Sequence, residues 1–232
     1  MRINVHAGHN PAGKIACGAV GIINESTENR RVANEVISQL RQLGHTVYDC
    51  TVDDGTSQTD VLKKIVQKCK MHDVDLDVSI HFNSAADSRA NGTEVLVYSQ
   101  SSKAYGYAEK ICKAISDCGF KNRGVKVNSS LYVLKNTKAP ALLVECCFVG
   151  SPTDVELYSY GEMASAIVYG ITGERTQIAP ESKETPTGEE TPTGDRKALY
   201  RVQVGAYSAR YNAEVQAKKL KLAGYDAIIV QA

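Results

Sequence analysis

Two hydrophobic periods alternate along the first three quarters of the chain. Arg2-Ile3-Asn4-Val5-His6 alternates with period two and reads as a short strand. Ala7-Gly8-His9-Asn10-Pro11-Ala12-Gly13 follows as a loop, and a small-residue stretch runs through Gly18-Ala19-Val20-Gly21. The polar cluster Asn24-Glu25-Ser26-Thr27-Glu28 suits a helix start, and Val32, Val36, Ile37 and Leu40 continue it at helical spacing until Gly44. Val47–Cys50 reads as a strand, Asp53-Asp54-Gly55 as a turn, and Val61, Leu62, Ile65, Val66 and Cys69 as the buried stripe of a second helix. Leu76–His81 is an apolar run that climbs to a histidine and then breaks into the polar loop after Asn83. Thr93–Tyr98 predicts another strand, and Ala104 to Ile115 a third helix stopped by Gly119. Residues 122–126 read as a loop, and Leu131–Leu134 predicts a short strand. Ala141-Leu142-Leu143-Val144-Glu145 does not alternate, which predicts a strand buried on both faces. A last helix is expected over roughly residues 154–170.

Strands alternating with helices predict an α/β domain over residues 1–173, with a mostly parallel central sheet flanked by helices. The pattern then stops. Glu184-Thr185-Pro186-Thr187-Gly188-Glu189 is followed by Glu190-Thr191-Pro192-Thr193-Gly194-Asp195, a six-residue repeat with almost no apolar content. Residues 174–198 therefore read as a flexible linker, because such a composition cannot bury a core. Periodicity returns in 199–232, where strand, helix and strand patterns make a small βαβ unit. Its 34 residues are too few for a stable core of their own.

Composition narrows the function classes. A net charge of +1 over 232 residues gives no global case for nucleic-acid binding, and no apolar run approaches the ~18 residues of a membrane span. Seven cysteines without a C-x-x-C pair read as reduced structural thiols. Met1-Arg2-Ile3-Asn4-Val5 is not a charged region leading into an apolar one. The expectation is synthesis in the cytoplasm without a signal peptide, followed by action elsewhere after release.

The candidate chemistry sits at element ends. His9 follows the first strand, Glu25 and Glu28 open the first helix, and His81 closes the central strand. Two imidazoles and one carboxylate with an open fourth position make a catalytic zinc set. Glu145 ends the apolar run Leu142-Leu143-Val144. A carboxylate there is costly without a partner or a task, and beside a metal site it could serve as general base and then general acid. The residues alone leave Glu25 and Glu28 both open.

Ala7-Gly8-His9, the helix-opening glutamate, Ser79-Ile80-His81-Phe82-Asn83, Gly92-Thr93-Glu94-Val95, Asn122-Arg123-Gly124-Val125-Lys126, Leu131–Leu134 and Pro140–Val149 together resemble the zinc-dependent N-acetylmuramoyl-L-alanine amidases over residues 3–150. The resemblance implies zinc held by His9, Glu25 and His81, with Glu145 as the catalytic carboxylate. It favours Glu25 over Glu28, because Glu25 precedes Gly44 by 19 residues as the family ligand precedes its helix-ending glycine. The implied reaction cleaves the amide between N-acetylmuramic acid and L-alanine of peptidoglycan. Asn83 is left with a supporting or a substrate-contact role, and Arg123 and Lys126, in a family-matching loop, either meet carboxylates of the stem peptide, the expectation taken for Arg123, or form a solvated basic loop. One position departs: the family usually carries Asp-Pro-Gly-His, and here His6-Ala7-Gly8-His9 stands. His6 is left with a supporting or a direct ligand role.

Tyr200–Ser208, Asn212-Ala213 and Leu220–Ala227 resemble the opening half of a SPOR domain, a family that binds peptidoglycan glycan. Two such halves from two chains would share a core, so a homodimer through residues 199–232 is one expectation. The expected protein is an endolysin or lytic autolysin acting on the cell wall. The alternative is an inactive wall-binding protein that keeps the fold.

Overall fold

The computed structural model describes residues 1–87, 89–176, 217 and 228–230. Met1–Ile178 forms one compact unit and Ala179–Ala232 a second. The expected linker, the SPOR-like half-domain and its homodimer fall outside the described residues, apart from the isolated positions just given.

The first unit is an α/β layer structure. Its strands are β1 (Arg2–Ala7), β2 (Thr46–Asp49), β3 (Leu76–Asn83), β4 (Thr93–Val97), β5 (Asn122–Val127) and β6 (Ala141–Phe148). Its helices are α1 (Glu25–Gln42), α2 (Gln58–Lys70), α3 (Tyr105–Asp117), α4 (Tyr132–Asn136), α5 (Pro152–Leu157) and α6 (Tyr160–Thr172). The sheet order is β2-β1-β3-β6-β4-β5. All neighbours are parallel except β4 and β6, so the expected mostly parallel sheet is present with one antiparallel seam.

The two faces of the sheet differ. Leu76, Val78, Ile80 and Phe82 of β3 join Val5, Val95, Leu142 and Val144 in the main core, packed with residues of α1, α3 and α6. The alternate residues of the same strands face α2 and α4. There Asn4, His6, Asp77 and Ser79 are buried polar groups. Asn4 Nδ2 donates to the Asp77 carboxylate at 2.7 Å and to the Cys69 carbonyl at 3.0 Å. No helix among the described residues is long and apolar enough to cross a membrane.

Three expectations are corrected. Residues 131–134 are not a strand: Leu131 is extended and the chain turns at once into α4, where Lys135 N–H donates to the Leu131 carbonyl. Four apolar residues are too few for periodicity to separate strand from helix. Residues 122–127 are not a loop but the edge strand β5, parallel to β4. Arg123 and Lys126 break its apolar pattern because it covers the core on one side only. The last helix is two helices. Pro152 sits in the first turn of α5 after the Ser151 cap, and Tyr158 adopts an extended conformation that ends α5 before α6 begins.

The α3–α6 contact depends on a glycine. A Cβ at Gly170 would meet the backbone of Ile111 at 2.6 Å. Gly106 of α3 has open space at the same test. Gly170→Ala is expected to destabilise the unit by about 1–2 kcal/mol through overpacking, despite alanine's better helix propensity. Gly106→Ala is expected to stabilise it by up to about 1 kcal/mol. Thermal denaturation reads the difference, and equal effects of the two substitutions would contradict this packing.

Candidate functional site

The site lies at the carboxyl ends of the parallel strands. β1 is flanked by β2 and β3, so successive connections leave it in opposite directions. Such a switch point opens a crevice where α/β sheets bind ligands. His9 comes from the loop after β1, His81 from the end of β3, and Glu25 from the first residue of α1. Asn24 caps that helix, its side chain accepting from Thr27 N–H at 3.1 Å. The cap fixes the helix start where the next residue reaches over the sheet edge.

The Glu25 carboxylate is the centre of the cluster and is only 3% exposed. Its Oε1 lies 3.0 Å from His81 Nδ1 and 3.4 Å from His9 Nε2, and accepts from Phe82 N–H at 3.2 Å. Its Oε2 accepts from Ala19 N–H at 2.8 Å. Burial alone would raise this carboxyl's pKa, but the hydrogen bonds and charges of His81 and His9 outweigh it and hold the group well below the usual carboxylate range. Burial lowers the His81 pKa, which favours the neutral imidazole that a metal needs. One ligand-capable atom from each of His9, Glu25 and His81 lies within 4.8 Å of the others. Among the described residues these three form the one such His/Cys/Asp/Glu group. Two nitrogens and an oxygen from three separate elements are a donor set that fits zinc with a position left open.

Glu28 points elsewhere. Its carboxylate accepts from Tyr158 O–H at 2.9 Å and pairs with Arg31 at 3.3 Å. The structure thus places Glu25, and not Glu28, with the two histidines.

Glu145 is the register partner of His81 across β3 and β6, so the two side chains share one face of the sheet. Its Oε2 is buried without a hydrogen-bond partner. Burial, with the negative charges of Glu25 and Glu94, pushes its pKa up to about 8. It lines a cavity of about 270 Å³ together with His6, His9 and His81. Val61, Leu62 and Ile65 of α2, with Tyr132 and Val133 of α4, supply the apolar wall. The segment expected as a strand at 131–134 is therefore a wall of this cavity as α4.

His6 forms no part of the three-residue cluster. It is fully buried on β1, its Nε2 has no partner, and burial followed by the charge of His81 lowers its pKa to about 4. It lies on the cavity floor as a neutral imidazole.

Asn83 and Arg123 converge on Glu94, whose position the sequence marked without assigning it a role. Asn83 Nδ2 donates to Glu94 Oε1 and Arg123 Nε to Glu94 Oε2, both at 2.9 Å. Glu94 is in turn the cross-strand partner of Glu145. Arg123 lies over the Phe148 ring at 5.0 Å. A row therefore crosses the sheet from His81 through Glu145 and Glu94 to Arg123.

Two glycines that the sequence places in a motif and in a small-residue stretch, with no role given there, make room for the site. A Cβ at Gly18 would overlap the Glu25 carboxylate, and a Cβ at Gly8 would overlap the His81 ring. The reason for each lies elsewhere in the fold, because the groups they clear space for are on another element.

Comparison with known proteins agrees with this geometry. Residues 3–173 match the N-acetylmuramoyl-L-alanine amidase family, and residues 175–231 match the SPOR domain. An uncharacterised protein of Clostridium perfringens is 43% identical over 161 residues, covering 68% of this chain and 47% of that protein. A second C. perfringens relative is covered to 46%, so the chain spans about half the length of these curated relatives. The catalytic domain of the CD27L endolysin targeting Clostridia difficile superposes with a TM-score of 0.69 at 27% identity, covering 75% of this chain and 98% of that one. The catalytic domain of CwlV, an N-acetylmuramoyl-L-alanine amidase from Bacillus (Paenibacillus) polymyxa var. colistinus, gives a TM-score of 0.63 at 30% identity, with 75% and 97% covered. The sheet order, the cluster at the strand ends and these matches agree: the chain belongs to the N-acetylmuramoyl-L-alanine amidase family and carries a SPOR domain match beside it.

Proposed function

We propose that the chain is a zinc-dependent peptidoglycan hydrolase that cleaves the amide bond between N-acetylmuramic acid and L-alanine of the stem peptide. The observation that carries this reading is the juxtaposition of the His9–Glu25–His81 cluster with the buried, unpartnered Glu145 carboxyl. His9, Glu25 and His81 would hold the zinc. A zinc ion there supplies Lewis-acid polarisation of the scissile carbonyl and activation of water near neutral pH.

The remaining steps belong to the chain's own groups. Positive charge held by the cluster opposes the effect of burial on Glu145 and favours its ionised, basic form. Glu145 takes a proton from the attacking water as the carbon–oxygen bond forms. It returns that proton to the alanine nitrogen as the carbon–nitrogen bond breaks, leaving a lactyl carboxylic acid and a free amine, and the acid then gives up its proton to the amine or to water. The apolar wall from α2 and α4 keeps bulk water from the carboxyl and strengthens its interactions. Arg123 spends its Nε on Glu94 and one Nη1 on the Asn91 carbonyl, which leaves three of a guanidinium's five donors for a stem-peptide carboxylate. Asn83, fixed by Glu94, supports the same edge as a substrate contact.

In this reading residues 1–173 are the catalytic domain, 174–198 a linker, and 199–232 a segment that holds the enzyme on peptidoglycan glycan. The SPOR match and the likeness to an endolysin catalytic domain support a lytic role on the wall after release.

Mass spectrometry of digested peptidoglycan is expected to show new N-terminal L-alanine; new reducing sugar ends instead would overturn the reading. Glu145→Gln is expected to lower turnover by about 10²–10⁴-fold while zinc stays bound. A variant that clears cell walls at the wild-type rate would remove Glu145 from the mechanism. Gly18→Ala is expected to push the Glu25 carboxylate aside and weaken zinc binding by about 10–100-fold, read by chelator competition. Unchanged affinity would contradict the close packing of Gly18 against a zinc-holding Glu25 carboxylate.

A further inference from the structure

We infer that Arg30 is the positioning residue that sets His9 for the metal, an inference that rests on the proposed zinc reading. Arg30 lies on α1 with its side chain 18% exposed. Its Nη2 donates to the His9 carbonyl at 2.8 Å and its Nη1 to the Gly8 carbonyl at 3.3 Å. Asn29 Nδ2 adds a second donor to the Gly8 carbonyl at 3.0 Å. The same guanidinium donates to the Ser26 carbonyl at 3.1 Å and to the Val52 carbonyl at 3.1 Å. Asp53 Oδ1 receives Nε at 3.0 Å and Nη2 at 2.7 Å. One planar cation thus ties together the loop after β1, the first turn of α1 and the loop between β2 and α2.

His9 needs such a clamp. Its φ is +60°, a left-handed conformation that crowds any residue with a Cβ. Strained backbone of this kind persists only where the surroundings over-determine it. The direction of the imidazole follows from that backbone, and the carbonyls on both sides of the His9 nitrogen are the ones Arg30 and Asn29 hold. Asp53 neutralises the guanidinium, which would otherwise add positive charge beside a cation site. Lysine is a poor replacement: its ammonium is a point donor on a flexible stem and lacks the fork that spans four carbonyls and a carboxylate.

The test is zinc affinity of the full chain by competition with a chromophoric chelator. It is run at a temperature where the metal-free proteins are folded by circular dichroism. Arg30→Lys is expected to weaken zinc binding by about 10–100-fold. A lost structural contact alone would lower the melting temperature of the metal-free protein and leave the zinc affinity of the folded form unchanged, and that result overturns the inference. If Arg30→Lys does not fold, Asp53→Asn, which releases the guanidinium from its anchor, carries the test: an affinity loss of about threefold or more supports the clamp, and wild-type affinity overturns it. Absence of zinc binding by the wild type overturns the metal reading and this inference with it. Wild-type binding with an unaffected Arg30→Lys overturns this inference alone.

Discussion

A buried carboxylate governs this domain. Glu25 is almost completely removed from solvent, and an ion in that position costs several kcal/mol unless its surroundings supply opposite charge and donors. Two backbone N–H groups and two imidazoles supply them. The donors come from three places outside α1: Ala19 from the loop before it, His9 from the loop after β1, and His81 and Phe82 from the end of β3. Satisfying one carboxylate therefore fixes four segments against each other. The glycines at 8 and 18 follow from the same demand, since side chains there would occupy the volume of His81 and Glu25.

The sheet supplies the geometry for the rest. Parallel pairing of β3 with β6 puts Glu145 beside His81, and antiparallel pairing of β6 with β4 puts Glu94 beside Glu145. The antiparallel seam thus delivers a second carboxylate to the row, one already neutralised by Arg123. Two carboxyls in adjacent positions carry different partners: Glu94 has an ion pair and an amide, while Glu145 has a free, desolvated oxygen. That contrast of environments is why the proposed mechanism gives the proton transfers to Glu145 and a supporting part to Glu94.

Most of the strand and helix pattern was legible because apolar spacing reports burial directly. β3 and β6 stood out as apolar runs, and the histidine and glutamate at their ends followed as candidates. The choice between Glu25 and Glu28 was not legible from residues alone, since both suit the first turn of a helix. In the structure Tyr158, 130 positions away from Glu28, donates to that carboxylate, and Glu25 is the glutamate that lies with the two histidines. α4 and β5 were misread because each is short and covers the core on one side. Arg30 carries no periodic signature at all: its meaning lies in main-chain carbonyls that only the folded loops bring together.

The most direct measurement is the position of the metal itself. Anomalous scattering at the zinc edge from crystals of the protein should show one strong peak bounded by His9, Glu25 and His81, with Glu145 beside it and not among the ligands. A peak held by Glu28 or His6 in place of Glu25, or no peak in crystals grown with zinc, would contradict the account.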